Sequence, residues 1–132
     1  MAEALCILTA GKIVTLAVGA FSLSWTHTVE RTQWLEHWRV QSDGLQVTEA
    51  IIHGSGAGME PPPEAVRRDD GWHYRPHVPP VKEVVLASSG AGNSVWTLCG
   101  GDDCLTLGAE YGQPVRLWSA GNSAICESER HQ

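Results

Sequence analysis

The stretch FSLSWTHTVERTQWLEHWRV, residues 21–40, decides the fold. In its first half, apolar residues and one histidine occupy every second position, and serines and threonines fill the positions between. The second half alternates again and places Glu36 between two tryptophans. Because successive side chains of a β-strand point to opposite faces, this period of two predicts two half-buried strands joined by a hairpin. The same pattern places His27 and Glu36 on the apolar face.

The β pattern continues along the chain. No window of a dozen residues shows a helical stripe, and only PPEAVRR (62–68) is expected to form a short turn of helix. The first strands form a hairpin that turns at AGK (10–12) and cross-pairs Leu5 and Ile7 with Val14 and Leu16. The later strands are LQVTEAIIH, KEVVLAS, SVWTLC, CLTLGAEY and PVRLW. Many short strands with Gly-rich turns predict an all-β fold, a small antiparallel β-barrel or a compact sandwich.

The chain length predicts a single domain over residues 1–132. Inside it, residues 53–80 form a connection dense in glycine and proline. Loops of that length are usually functional, and we expect the first part of this one, residues 53–60, to gate a site. Its aromatic residues, Trp72 and Tyr74, are expected to cover one mouth of a barrel.

Charge excludes two classes of partner. The formal net charge is −6, whereas nucleic acids and anionic membranes both attract clusters of lysine and arginine. The first 25 residues contain Glu3 ahead of the apolar run and Lys12 within it, unlike a signal peptide or a spanning helix. We therefore expect no nucleic-acid partner and no direct membrane insertion. The N-terminus favours a cytoplasmic protein, with a periplasmic location as the alternative.

The four cysteines form two groups. Cys6 and Cys126 are most simply small buried residues. Cys99 and Cys104 flank GGDD in WTLCGGDDCLTL, and a hairpin centred there pairs them on the threonine face, away from Trp96 and the leucines. Two outcomes remain open for this pair: reduced thiols beside a turn or, in an oxidising compartment, a disulfide.

Strand arithmetic predicts the site. If the first hairpin closes over Arg31–Thr32 or over 30–33, the residue numbers of two opposite partners sum to 63. If 41–44 is the next loop, the partner numbers of the second and third strands sum to 85. The resulting cross-strand rows are Trp25–Trp38–Val47, His27–Glu36–Glu49 and Val29–Trp34–Ile51. One polar row then lies between two apolar rows. A bulge in the third strand would instead turn Glu49 outward.

Two carboxylates on a half-dry face must share a proton, bind a cation or be bridged by a protonated histidine. The polar row is therefore a candidate site for a small polar or cationic ligand, with Trp25, Trp34 and Trp38 as its walls. It is also a candidate divalent-metal site with His27, Glu36 and Glu49 as ligands. A purely structural polar network is the third alternative. Neither a GxSxG elbow nor an H-E-x-x-H motif occurs.

These residues carry a family resemblance. The run FSLSWTHTVERTQWLEHW, the following DGL turn, the strand with TEA and the loop HGSGAGMEPPPEA are similar to the bacterial and archaeal family of domain of unknown function 1850 (DUF1850). Thr28 stands where the family usually has serine. Carried over by position, the resemblance marks these residues: Trp25, His27, Glu30, Glu36, Gly56, Ala57, Gly58 and Met59.

The resemblance implies a genomic context, and through it a function. Members are often encoded beside subunits of tripartite (TRAP-type) solute transporters, particularly those with TAXI-type binding proteins. The expected function is therefore a non-enzymatic accessory or ligand-binding module, with Gly56, Gly58 and Met59 gating the site. Its expected partners are TRAP-type transporter components or a small polar solute. The alternatives are a metalloprotein or an enzyme with His27 as general base, and a structural module that docks a transporter.

Overall fold

Two antiparallel sheets make up the computed structural model, which describes residues 3–27, 32–53, 63–69, 71–88, 95–121 and 126. Within those residues the strands are β1 (Leu5–Thr9), β2 (Lys12–Leu16), β3 (Ala20–His27), β4 (Thr32–Gln41), β5 (Gly44–His53), β6 (Val66–Arg68), β7 (Gly71–Tyr74), β8 (Glu83–Leu86), β9 (Trp96–Gly100), β10 (Asp103–Leu107) and β11 (Val115–Ser119). The all-β prediction is confirmed.

The two sheets form a sandwich. One sheet has the strand order β2-β1-β11-β8, and the other has the order β10-β9-β3-β4-β5-β7-β6. Leu5, Ile7 and Leu117 of the smaller sheet share one buried core with Leu23 and Leu98 of the larger sheet. Of the two predicted architectures the compact sandwich is therefore correct, and the sheets do not close into a barrel.

Two local hairpins have the predicted registers. In the first, Leu5 lies opposite Leu16 and Ile7 opposite Val14. Its two-residue turn has positive φ at Ala10 (52°) and at the following glycine (76°), as a twisted hairpin turn requires.

The β9–β10 hairpin also agrees with the sequence. Cys99 lies opposite Cys104, and Leu98 opposite Leu105. The two cysteines form a disulfide, with their Cα atoms 4.1 Å apart, on the face that they share with the threonines. The predicted pairing is confirmed, and the disulfide is the alternative that the structure contains.

A second disulfide joins Cys6 and Cys126, whose Cα atoms are 5.7 Å apart. The prediction that these are two separate buried thiols is wrong. Since their sequence separation is 120, no local pattern could pair them. The bond ties β1 to the C-terminal part of the chain.

The β3–β4 hairpin differs from the predicted register. Partner numbers sum to 59 rather than 63, so that Phe21 lies opposite Trp38 and Trp25 opposite Trp34. Both of these pairs stack, with interplanar angles of 6° and 7°. Stacked aromatic pairs add about 0.5–1.5 kcal/mol each beyond their buried area, which favours the register that forms two of them.

The β4–β5 pair contains a β-bulge, which was one of the two alternatives that the sequence allowed for this pair. Near the turn, Trp38 lies opposite Val47 as predicted, but beyond an irregularity at His37/Trp38 the partner of Glu36 is Ala50. Thr48 is the extra residue, and its hydroxyl donates a hydrogen bond to the carbonyl of His37 at 3.1 Å. An odd shift turns the following side chains over, so Glu49 lies on the face opposite Glu36.

The segment 53–80 contains more structure than the predicted loop. Val66–Arg68 and Gly71–Tyr74 form β6 and β7, and β7 pairs with β5. The predicted helical turn over 62–68 is wrong at Val66–Arg68, which is a strand. In the ranges that the structure describes, no helix has the length and apolar character needed to cross a membrane.

Candidate functional site

Glu36 lies among aromatic side chains on the core-facing side of the larger sheet. We call this group the aromatic surface: Trp25, Trp34, Trp38, Tyr74 and Trp96 around Glu36. All six residues are half-buried. The fully buried core, in contrast, reaches Leu23, directly across from Glu36 on β3. The aromatic surface therefore lies at the margin of the core, where solvent still reaches it.

Strand register brings these residues together. Across the sheet, Glu36 lies opposite Leu23 on one side and Ala50 on the other, and Ala50 lies opposite Tyr74. Because opposite residues in an antiparallel sheet share a face, Tyr74 joins Glu36 from two strands away. Along β4 itself, Trp34 and Trp38 are two positions from Glu36 and share its face.

The tryptophans contact one another directly. Trp25 stacks on Trp34 with 5.8 Å between ring centroids, and Trp96 packs against Trp25 at 4.8 Å with a tilt of 53°. These separations lie in the range of favourable aromatic contacts. The rings therefore support each other and form one continuous wall beside the carboxylate.

Two effects act on the Glu36 carboxyl group. Burial raises its pKa above the ordinary value of 4.5, because a half-dry environment disfavours the charged form. A hydrogen bond from Nε1 of Trp38 to Oε1 of Glu36, 3.1 Å long, opposes this and lowers the pKa. Burial is the larger effect. The protein therefore holds Glu36 as an acid that takes up a proton, or accepts a cation, more readily than an exposed glutamate does.

The charge of Glu36 also affects the pKa of Tyr74. Burial raises the pKa of the Tyr74 hydroxyl, and the negative charges of Glu36 and Glu64 raise it further. The phenol therefore stays neutral and acts as a hydrogen-bonding group. A neutral phenol and an indole N–H then flank one carboxyl group on the aromatic surface.

Glu49 is not part of this group. It lies opposite His37 on the other face of the sheet, and its Oε2 atom is 3.1 Å from Nδ1 of His73. The predicted row of His27, Glu36 and Glu49 is therefore wrong, because a single bulge separates the two carboxylates. Among the described residues, no group of three metal-ligating side chains occurs.

His27 is also displaced from its predicted partner. Its backbone lies opposite Thr32, four residues before Glu36 on β4. At about 3.3 Å per residue, this separates the two backbone positions by about 13 Å along the strand. The side chain of His27 lies outside the described residues, as do Glu30 and the loop residues Gly56, Gly58 and Met59. Their assignment to a ligand site stays a prediction.

Sequence reasoning missed two members of the aromatic surface. Tyr74 was expected in a long loop, although the alternating run GWHY could have indicated the short strand β7. Trp96 lies opposite Leu107 in the hairpin that the sequence predicts, but nothing local indicated its contact with Trp25. That contact depends on β9 adding to β3, which is a long-range pairing.

The chemistry of the aromatic surface is that of one carboxylate beside aromatic rings. A carboxylate supplies one negative charge, and the faces of indole and phenol rings attract cations through their quadrupoles. Within the described residues of the aromatic surface, Glu36 is the only ionisable group apart from the phenol of Tyr74. The described part can therefore hold a cationic or proton-donating ligand.

Comparison with known proteins identifies a family. Residues 21–107 match the family model described as domain of unknown function (DUF1850). No curated protein matches the chain, and no solved structure matches it. The matched segment runs from β3 through β10 and includes every member of the aromatic surface.

Proposed function

Because the chain belongs to the DUF1850 family, we propose that it is a non-enzymatic ligand-binding module that acts as an accessory to a TRAP-type solute transporter. The transporter association follows from the family resemblance. We further propose that the aromatic surface around Glu36 is the binding site. Its ligand class is a small organic cation, such as a substituted ammonium ion.

One observation carries this proposal. The Glu36 carboxylate is half-buried beside tryptophan rings and accepts a hydrogen bond of 3.1 Å from the indole N–H of Trp38. A carboxylate accepts several hydrogen bonds, so capacity remains for a ligand that donates one. A cation also compensates for the burial that raises the pKa of Glu36.

The tryptophans support the choice of a cation over a neutral solute. Aromatic faces attract ammonium groups by about 0.5–2 kcal/mol, most strongly where water is excluded. The rings of Trp25 and Trp34 are stacked, and Trp96 braces them, so the wall is preorganised. Preorganised walls lower the entropy cost of binding.

The two disulfides support the periplasmic alternative for location. Disulfides persist in oxidising compartments and are rare in the cytoplasm. The Cys6–Cys126 and Cys99–Cys104 bonds therefore favour an exported domain over the cytoplasmic location that the N-terminal sequence predicts. A periplasmic module would also be placed beside the solute-binding proteins of such transporters.

A thermal melt of the chelator-stripped full chain tests the proposal. The probes are tetramethylammonium and putrescine, with glucose, succinate, Mg²⁺ and Zn²⁺ for comparison. We expect an amine to raise the melting temperature, since a ligand at a hundredfold excess over its Kd stabilises the folded state by about 2.7 kcal/mol. Glu36→Gln should abolish this shift.

Matched variants make the result specific. Glu110→Gln removes an equal charge at an exposed position and should leave the shift intact. His27→Ala tests whether the predicted histidine takes part. The proposal fails if no amine stabilises the protein, or if the amine shift persists undiminished in Glu36→Gln. A shift with Zn²⁺ alone, lost in His27→Ala, would favour the metal alternative instead.

A further inference from the structure

The larger sheet opens between β5 and the chain that follows β7. Ladder pairing between β5 and β7 ends at Ala50–Tyr74. Contact resumes at a bridge in which Leu45 and Val81 exchange two backbone hydrogen bonds of 2.8 Å. Between these two points, the four residues 46–49 face the six residues 75–80. The longer segment must therefore bow away from β5.

The sequence explains this opening. The segment RPHVPP (75–80) contains three prolines, which have no N–H group to donate to a ladder. On the other side, the bulge at Thr48 interrupts the regular pairing surface of β5. The side-chain Nε2 of Gln46 donates to the carbonyl of Val78 at 2.8 Å and holds the bowed segment in place. Features of both β5 and the segment 75–80 thus produce the opening.

The result is a cleft of about 590 Å³. Its lining is Arg39, Val47, Thr48, Glu49, Arg75, Pro76 and His77. This volume lies within the roughly 300–1,000 Å³ of small-molecule sites. The cleft is therefore large enough for a small metabolite.

Charge in the cleft is positive. The Glu49 carboxylate is already paired with His73 at 3.1 Å. Among the described residues, neither Arg39 nor Arg75 has an acidic partner within ion-pair distance. Although the chain has a net charge of −6, the lining of this cleft contains two arginines and a single carboxylate, which is paired.

We propose that this cleft is a binding site for a small oxyanion, a carboxylate- or phosphate-bearing molecule. Arg39 projects from β4 and Arg75 follows β7, so that β5 runs between them. With neighbouring strands about 4.8 Å apart and the two residues offset by about two positions along the strands, the two arginine backbones stand roughly 12 Å from each other, so that both side chains can reach one ligand from two sides. Guanidinium groups bind carboxylate and phosphate through paired N–H donors.

The oxyanion site is separate from the aromatic surface. Glu49, in the wall of the cleft, and Glu36 lie on opposite faces of the same sheet. Anion binding therefore does not depend on the proposed cation site, and either can fail without the other. The Glu36→Gln variant distinguishes the two, since it should keep full affinity for the anion.

Isothermal titration of the full chain with succinate and with inorganic phosphate tests this site, at ionic strength matched with sodium chloride. We expect one of these anions to bind with one-to-one stoichiometry. Arg39→Gln and Arg75→Gln should each weaken that binding about tenfold, the loss expected for a charged hydrogen-bonding partner. Arg68→Gln, an exposed arginine on β6 outside the cleft, should leave the affinity unchanged.

The outcomes distinguish a carboxylate ligand from a phosphate ligand. Binding of succinate alone identifies a carboxylate site, and binding of phosphate alone identifies a phosphate site. Absence of heat above the chloride blank overturns the proposal. Equal weakening in Arg68→Gln and Arg39→Gln also overturns it, because the effect would then reflect overall charge.

Discussion

The indole N–H of Trp38 donates a hydrogen bond to the carboxylate of Glu36, 3.1 Å away and two positions back on the same strand. Residues two apart on a strand share a face, so this contact arises directly from the alternation of β4. The hydrogen bond only partly offsets the burial of Glu36. The aromatic surface therefore contains a carboxyl group whose charge destabilises the folded state.

The first prediction concerns pH. Burial raises the pKa of Glu36 in the folded protein above its ordinary value of 4.5, so in that range the folded state binds more protons than the unfolded state. The Glu36 contribution to the free energy of unfolding is thus largest at low pH and is lost as the pH rises from about 4.5 through the raised pKa. We expect Glu36→Gln to be more stable than the wild type at pH 7.

Chemical denaturation of both proteins from pH 4 to pH 8 measures this. The difference between the two curves isolates Glu36 from the other carboxylates, which titrate in both proteins. Glu110→Gln, at an exposed position, serves as the control and should show no such difference. The measured quantity is the free energy of unfolding of Glu36→Gln minus that of the wild type. If this difference is smaller at pH 7 than at pH 4, the prediction is contradicted.

The second prediction tests the register of β3 and β4. A double-mutant cycle with Trp25→Leu and Trp34→Leu should give a coupling energy of about 0.5–1.5 kcal/mol, because the two rings stack. The cycle of Trp25→Leu with Trp38→Leu should be additive within about 0.5 kcal/mol, since these residues are not paired. Guanidinium unfolding measures all six proteins: the wild type, three single variants and two double variants. Larger coupling in the second cycle would support the register in which partner numbers sum to 63.

The third prediction compares the disulfides. By chain entropy, the Cys6–Cys126 bond closes a long loop and should contribute about 5 kcal/mol, whereas the Cys99–Cys104 bond closes a short one and should contribute about 2 kcal/mol. Replacing each pair by alanines and measuring denaturant unfolding tests the order. If the Cys99–Cys104 variant loses as much stability as the other, the prediction is wrong.

The fourth prediction concerns Gly71 at the start of β7. Its φ is +131°, and a Cβ atom there would collide with the carbonyl oxygen of Ile52 on β5. A non-glycine residue in such a conformation costs roughly 1–3 kcal/mol before any clash is added. Gly71→Ala should therefore destabilise the protein strongly. Gly112→Ala, where an added Cβ meets nothing within 4 Å, should be nearly neutral in the same thermal melt.

Much of the fold could be predicted because it is local. The hairpins β1–β2 and β9–β10 each close over a two-residue turn, and their registers follow from the symmetric patterns on either side. The Cys99–Cys104 pair follows from the second hairpin. Short loops leave few alternative pairings, which is why these elements were accessible without the structure.

The candidate site was only partly predictable. Glu36, Trp25 and Trp38 do share a face, as the alternation indicates. Their partners across the β3–β4 hairpin were wrong because the predicted and observed hairpins differ by four in the partner sum, an even shift that leaves every side chain on its own face. Alternation has a period of two and cannot distinguish such registers. The bulge at Thr48 is an odd shift, and it alone moved Glu49 to the other face.

The sequence by itself determined most of the strands, their buried faces and the hairpins β1–β2 and β9–β10, because each depends on residues that are neighbours in the chain. Tertiary structure decided which aromatic rings meet, since stacking of Trp25 on Trp34 selects one register from several that alternation permits. It also decided that Cys6 meets Cys126 and that Tyr74 joins Glu36 across β5. These contacts depend on packing energies between segments that are distant in the sequence, and the alternation of residues along one strand cannot predict them.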